Sequence, residues 1–168
     1  MKFRPLKAEE IEVRVQQAKE NGFGLLLYKD ARCDMAILDE TVGALNWKRE
    51  HTRENKNCIV SIWDEIKSQW VSKEDTGTES NTEKEKGLAS DSFKRACFNW
   101  GIGRELYTAP FIWVNNKSYI NQSEWQGKKA YKVFERFTVN GILIEEGKIN
   151  GISIHDSKGN EVFRWKRK

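Results

Sequence analysis

Basic side chains gather in and around one helix-like segment, and cations of this kind bind phosphate. Lys94 and Arg95 are adjacent within "SFKRACFNW", and further cations flank that segment or lie in an upstream strand-like run and its turn. The candidate nucleic-acid-binding residues are Lys48, Arg49, Lys56, Lys84, Lys94, Arg95 and Arg104. Single strands are held by cationic grooves that follow the phosphates, in some proteins with aromatic stacking. The residues alone leave nucleic-acid binding and a solvated basic surface open as alternatives.

A metal-dependent nuclease is the strongest enzyme hypothesis. Asp64, Glu65 and Lys67 in "SIWDEIKSQW" resemble a D…ExK pattern. Nuclease carboxylates converge on a divalent ion from separate strands, whereas these two acids are neighbours on a hairpin turn. A plain turn is therefore favoured, and a nuclease that uses Asp64, Glu65 and Asp75 stays open as an alternative.

Further acids crowd the start of the long helix, at Glu74, Asp75, Glu79, Glu83 and Glu85. Acids complement the dipole at a helix N-terminus, which favours that role over a metal cluster. The chain has only two histidines and contains neither G-x-S-x-G nor a P-loop. We expect no enzyme activity, no metal and no cofactor.

Composition places the chain among globular proteins. It has 168 residues, 38% of them hydrophobic, and a formal net charge of +4. From Pro110 to Lys168 there are eleven Lys or Arg against six Asp or Glu. The three cysteines are far apart and odd in number, which favours reduced thiols. Without a signal-peptide pattern or a membrane-length apolar run, we expect a cytoplasmic protein of a bacterial cell, with a phage gene as a further possible origin.

Helix and strand signals alternate in the first third of the chain. Leu6, Ile11, Val15 and Ala18 are near helical spacing, so a helix is predicted from Leu6 to a stop at Asn21-Gly22. "FGLLLYK" follows as a strand. A second helix is predicted from an Asp30 N-cap to Gly43, with Cys33, Ile37 and Ala36 on its buried face.

A period of two replaces the helical period from Trp47 to Gly77. Three strand-sized runs separated by short polar turns predict a three-stranded antiparallel meander. A long helix is predicted next, from about Asn81 to Trp100, with capping boxes at Ser80/Glu83 and Thr82/Glu85. On a helical wheel Phe93 and Trp100 anchor the helix on the sheet. The wheel leaves Lys94 and Arg95 outward, with Leu88 and Phe98 beside them.

After Pro110 the pattern predicts strands again, in "FIWVNN", "KVFERFTVNGILIEE", "KINGISIHD" and "EVFRW". The predicted fold class is α+β. A three-stranded antiparallel meander packs on a long helix as a β-β-β-α core, with flanking helices and a C-terminal β meander. We predict one domain over residues 1–168, with its core at about 23–113 and a basic β extension at 114–168.

The segment "EKEKGLASDSFKRACFNWGIGRELY" resembles the signature helix of the Rad fifty-two superfamily of single-strand annealing proteins, in its short phage and bacterial branch of Sak and DdrA type. That helix carries [DS]-x-[LF]-K-R-A, an aromatic residue and a glycine turn, matched here from Asp91 to Gly101. Upstream, "ILDETVGALNW" resembles the family's helix that ends in Gly and reaches a Trp four residues later. The resemblance covers roughly residues 23–113.

This resemblance implies ATP-independent binding of single-stranded DNA and annealing of complementary strands in recombination and repair. It implies a homo-oligomeric ring or helical filament in which meander and long helix line a basic groove. The family's inner-groove pair corresponds to Lys94 and Arg95, and its hairpin-turn cation to Lys56. A phage exonuclease and a single-strand-binding protein are candidate further partners, and no membrane is expected. The alternative within nucleic-acid binding is a protective single-strand-binding module that does not anneal.

Overall fold

The structure is a computed structural model that describes residues 1–78 and 84–168, and the side chains of residues 84–86 and 125 lie outside the description. It confirms the predicted α+β class, with sheets that are mostly antiparallel. The α-helices of the described residues are α1 (Ala31–Val42) and α2 (Lys84–Trp100). The strands are β1 (Ile11–Lys19), β2 (Gly22–Lys29), β3 (Trp47–Thr52), β4 (Asn57–Asp64), β5 (Gln69–Thr76), β6 (Ile112–Val114), β7 (Asn121–Trp125), β8 (Lys128–Lys132), β9 (Phe137–Glu145), β10 (Lys148–Asp156) and β11 (Glu161–Lys166).

The chain folds as two compact units. The first comprises residues 1–6 and 29–104, and the second comprises residues 7–28 and 105–168. In the first unit Phe93 and Val60 are fully buried, and in the second Phe23 and Ile154 are. Each unit therefore buries its own set of apolar side chains.

The first unit contains the predicted three-stranded antiparallel sheet, in the order β3-β4-β5. Trp47 pairs with Ile62 in one ladder, and Trp63 pairs with Trp70 in the other. Because side chains alternate along a strand, Cys58, Val60 and Ile62 share one face. All three are buried, and we call this side of the sheet the helix face because α2 contacts it. The opposite side, which carries Lys48, Ser61 and Trp70, is the outer face.

Helix α1 begins and ends where its capping residues predict. The carboxylate of Asp30 accepts a hydrogen bond from the backbone N–H of Arg32 at 2.7 Å, and Gly43 follows the last turn with φ of 84°. The predicted buried face is only partly correct, since Ala36 is exposed. Asp34 and Leu38 are buried instead.

Helix α2 is described from Lys84 to Trp100 and ends as predicted, whereas its predicted start at about Asn81 lies outside the described residues. Gly101, with φ of 99°, supplies the left-handed conformation that terminates it. The predicted capping boxes lie outside the described residues. Leu88 was expected beside the outward basic residues, but it is 8% exposed and belongs to the core.

A buried ion pair that the sequence analysis missed lies beside the end of α2. Lys29 donates hydrogen bonds to the Asp34 carboxylate and, at 2.9 Å, to the backbone oxygen of Ile102. Both side chains are almost completely buried, and the second Asp34 oxygen has no hydrogen-bond partner among the described atoms. Burial raises the pKa of Asp34 to about 6, although the Lys29 charge opposes this shift.

The second unit is built on a six-stranded sheet with the order β11-β10-β9-β1-β2-β6. The helix predicted from Leu6 to a stop at Asn21-Gly22 is wrong, because this segment forms a short 3₁₀ turn (Ala8–Glu10) followed by β1. Ile11, Val13 and Val15 alternate with polar residues, so the segment also carries a period of two, and its β-branched residues suit a strand. Pairing with β9 and β2 decides between the two periods.

The strands after Pro110 lie close to their predicted positions. β10 and β11 match the prediction, whereas β9 begins only at Phe137, five residues into its predicted run. The β7–β8 hairpin was not predicted as a separate pair. β9, β10 and β11 are consecutive neighbours, and they continue into β1, β2 and β6 as one sheet. Among the described helices, none combines the length and apolar character needed to cross a membrane.

Candidate nucleic-acid interface

The adjacent cations Lys94 and Arg95 lie on different sides of α2. Arg95 Nε is 3.3 Å from the carboxylate of Asp75 on β5, and the Arg95 side chain is 43% exposed. Lys94 is half-buried near the N-terminus of α1, where its charge helps to lower the pKa of Asp30 after the larger effect of Arg32. Neighbouring helical residues diverge by about 100°, which explains the separation. The pair therefore does not present two side-by-side cations.

Lys48 and Arg49 are separated in the same way by the alternation of β3. The guanidinium of Arg49 lies 4.9 Å from the ring centroid of Phe93, on the helix face. The ammonium of Lys48 lies 4.6 Å from the Trp70 ring, on the outer face. Both side chains are exposed, so each cation is accessible to solvent, but they serve opposite surfaces.

The β3–β4 turn places Lys56 at the surface beside α2. Three consecutive residues, Arg53, Glu54 and Asn55, have φ of 51°, 55° and 67°, a conformation that costs roughly 1–2 kcal/mol for each ordinary residue. Ser92 of α2 compensates by donating from Oγ to the Asn55 backbone oxygen at 3.0 Å. The turn is therefore fixed against the helix, and the exposed Lys56 side chain projects from a defined position.

Gly77 closes the same corner from the other strand. Its N–H donates to the Lys56 backbone oxygen at 2.7 Å. A Cβ at this position would lie 2.5 Å from the Ser92 nitrogen and 2.8 Å from the Leu88 oxygen. Only glycine allows the end of β5 to approach α2 this closely, so this contact sets the distance between the helix and the Lys56 turn.

Arg104 is placed at the C-terminal end of α2. Its guanidinium donates to the backbone oxygens of Phe98 (3.0 and 2.8 Å) and Asn99 (2.8 Å). These oxygens are among the last helical carbonyls, which lack partners within the helix. The geometry gives Arg104 a capping role, in addition to any contact that its exposed surface makes.

Lys73 is a cation that the sequence analysis did not single out. It stands on the helix face of β5, where Nζ donates to the Asn99 oxygen at 2.8 Å and lies 4.7 Å from the Trp100 ring. The strand registers place Arg49, Val60 and Lys73 in one row across the sheet. Alternation along β5 from the apolar Val71 would have placed Lys73 on the same face from the sequence.

The remaining predicted cation is Lys84, the first described residue of α2, whose side chain lies outside the description. Of the acids near the helix start, Glu79 and Glu83 and the side chain of Glu85 also lie outside them. Glu74 accepts a hydrogen bond from Asn57 Nδ2 at 2.7 Å. Arg95 and Asn99 both contact Asp75.

The carboxylates of the nuclease alternative are far apart along the β4–β5 hairpin. Asp64 pairs with Gln69 at the turn, and Asp75 pairs with Cys58 six residues further along β5, about 20 Å away at strand spacing. Asp64 accepts from the backbone N–H groups of Ile66 and Lys67, as in an ordinary turn. Within residues 1–78 and 84–168, no three His, Cys, Asp or Glu side chains are grouped so that they could hold a metal ion.

Burial and, after it, the Arg49 charge lower the pKa of His51, which disfavours its charged form. Exposed cations around α2 include Arg49, Lys56, Lys73 and Arg95, and the exposed Arg104 lies at the helix end. These cations follow both edges of the helix face and the β3–β4 turn.

Comparison with protein families, with curated proteins and with solved structures finds no match to this chain.

Proposed function

We propose that the protein binds single-stranded DNA and anneals complementary strands without ATP, as a homo-oligomeric ring or filament that serves recombination and repair in the bacterial cytoplasm. The observation that carries this proposal is the set of exposed cations around α2. The resemblance of residues 23–113 to single-strand annealing proteins supports the same conclusion. A cationic surface attracts phosphate without regard to sequence, as annealing of arbitrary strands requires.

The arrangement that we propose for the binding core is the β3–β5 sheet with α2 packed on its helix face. Trp100 Nε1 donates to the Val60 backbone oxygen at 3.0 Å, and the rings of Trp47 and Phe93 stack with centroids 6.1 Å apart. Asn99 Nδ2 donates to the Glu74 backbone oxygen at 2.9 Å. Contacts from both edge strands and the central strand support this arrangement.

We assign the phosphate contacts first to Lys56, Arg49 and Arg95. Arg95 can exchange Asp75 for a phosphate because a partly exposed ion pair contributes only about 0–1 kcal/mol. Lys94 and Lys84 are assigned next, on the resemblance. Lys48 lies on the outer face and Arg104 caps α2, so we assign them weaker contacts.

No bond is made or broken in this proposal. The protein accelerates pairing by concentrating strands and by neutralising the phosphates that repel each other. The cations hold the backbone, and base edges stay available to a complementary strand. Salt weakens such binding steeply, since each phosphate contact releases a condensed counterion.

The test compares two exposed turn lysines at opposite ends of β4. Lys56→Ala removes a proposed phosphate contact, and Lys67→Ala removes a lysine of the β4–β5 turn, 3.9 Å from Asp64. For each variant, single-strand affinity is measured over a range of salt concentrations. We expect Lys56→Ala to weaken binding and to reduce the log–log salt slope by about 0.7–1, and Lys67→Ala to leave the slope unchanged.

Equal slopes for wild type, Lys56→Ala and Lys67→Ala would contradict the assignment of Lys56. Loss of the oligonucleotide itself, dependent on added magnesium, would favour the nuclease alternative. Circular dichroism of both variants checks that neither substitution alters the fold.

A further inference from the structure

Two stacked aromatic rings, one exposed and one half-buried, mark the β6 edge of the six-stranded sheet. Phe111 and Trp113 are two residues apart, so they share a face, and their rings are nearly parallel at 10° with centroids 6.3 Å apart. Phe111 is 76% exposed, which makes it one of the most exposed large apolar side chains among the described residues. Packing in the core therefore does not account for Phe111.

Trp113 is a rigid support for that exposed ring. Its indole N–H donates to Asn115 Oδ1 at 2.8 Å. Gly24 lies opposite Trp113 on β2, and a Cβ at Gly22 would lie 2.8–2.9 Å from the indole. Gly22 thus leaves room for the indole against β2. Packing on Gly22 accounts for the position of the Trp113 indole. It gives the outer surface of the Phe111 ring no structural role.

Cations accompany the aromatic rings on the same face. Lys19 Nζ lies 5.9 Å from the Trp113 ring, and Arg14 lies 4.8 Å from the ring of Tyr28, four residues beyond Gly24 along β2. Glu12 pairs with Arg14, whereas Lys19, beside the rings, forms no ion pair within the described residues. We call Phe111, Trp113, Lys19 and Tyr28 the aromatic face.

We propose that the aromatic face is a stacking site for unpaired nucleobases of single-stranded DNA, with Lys19 on the adjoining phosphate. Every base has a π-face, so stacking on an exposed ring tolerates any sequence. The planar ring and the cation together match a nucleotide, which is planar at the base and anionic at the phosphate. This proposal rests on the proposed function for its ligand class, but it uses residues of the second unit only.

The test compares two ligands that differ only in their bases, a short oligo-dT and an abasic oligonucleotide of the same length. Phe111→Leu keeps an apolar side chain and removes the planar ring. We expect it to weaken oligo-dT binding roughly 5- to 150-fold, the equivalent of one base stack at about 1–3 kcal/mol, and to leave abasic binding and the salt slope unchanged. Phe111→Tyr should restore oligo-dT affinity.

Phe134→Leu is the matched control, since Phe134 is 75% exposed in the same unit and lies outside the aromatic face. An unchanged preference for oligo-dT over the abasic strand in Phe111→Leu would overturn the proposal. Equal loss of both ligands would also overturn it, because the ring would then act through the fold. If Phe111→Leu reduces the sedimenting mass of the DNA-free protein, a second copy of this chain covers the face, and the stacking site is wrong.

The two proposals fail separately. Lys56→Ala should weaken both oligonucleotides and flatten the salt slope, whereas Phe111→Leu should affect only the ligand with bases. A base-dependent loss in Phe111→Leu with no effect of Lys56→Ala would keep the aromatic face and contradict the first-unit site. The reverse result would keep the first-unit site and remove the stacking proposal.

Discussion

Asp34 should give the stability of the protein an unusual dependence on pH. Burial raises the pKa of this carboxyl from 3.8 to about 6, so between pH 4 and 6 the folded chain holds a proton that the unfolded chain has released. Stability contributed by this group is therefore present below pH 4 and is lost as the pH rises to 6. A shift of this size corresponds to about 3 kcal/mol, at about 1.4 kcal/mol per pKa unit.

The measurement is the free energy of unfolding in urea at several pH values for wild type and Asp34→Asn. Asparagine cannot titrate, so the difference in free energy between the two proteins should change by about 3 kcal/mol between pH 4 and 6.5, with wild type relatively more stable at the lower pH. Glu54→Gln, at an exposed turn, controls for the loss of one carboxyl group. Parallel pH profiles for wild type and Asp34→Asn, or a relative gain of wild type with rising pH, would refute the reasoning.

Two further predictions concern packing and a turn carboxylate. Gly77→Ala should lower the free energy of unfolding, measured in urea, by about 1–3 kcal/mol. The added Cβ would overlap backbone atoms of Ser92 and Leu88 and force α2 to move. An unfolding midpoint equal to that of the wild type would contradict this packing. Asp156 accepts hydrogen bonds from Asn160 and Tyr119, among others, and its pKa falls to about 2. Its stabilisation should be lost as the pH falls from 4 towards 2, and Asp156→Asn should not show that loss in acid unfolding followed by circular dichroism.

Local patterns predicted the elements whose signals agree with each other. The Asp30 cap and the Gly43 stop bracket α1, and the alternation from Trp47 to Gly77 predicts the three-stranded sheet. Residues 6–19 carry helical and strand periods together, so only the neighbouring strands β2 and β9 decide their conformation. Those partners are distant in sequence or become neighbours only after folding, and local spacing cannot identify them.

The candidate site was predicted in composition but not in geometry. A helical wheel places Lys94 and Arg95 together on the outward side, because it contains neither α1 nor the Asp75 that pairs with Arg95. Arg104 looks like any surface cation in the sequence, and its capping role follows only from the end of α2. The buried Lys29–Asp34 pair joins residues whose burial depends on tertiary packing, which a charge pattern does not reveal.

The most direct test of the central claim is the annealing rate of two complementary, fluorophore-labelled oligonucleotides, without ATP and with EDTA, across a protein titration. The account predicts a rate that rises to an optimum and falls at excess protein, because strands saturated on separate oligomers pair poorly. Lys56→Ala should lower the optimum rate and Lys67→Ala should not. Tight single-strand binding with no acceleration of pairing would contradict annealing and leave a protective binding module.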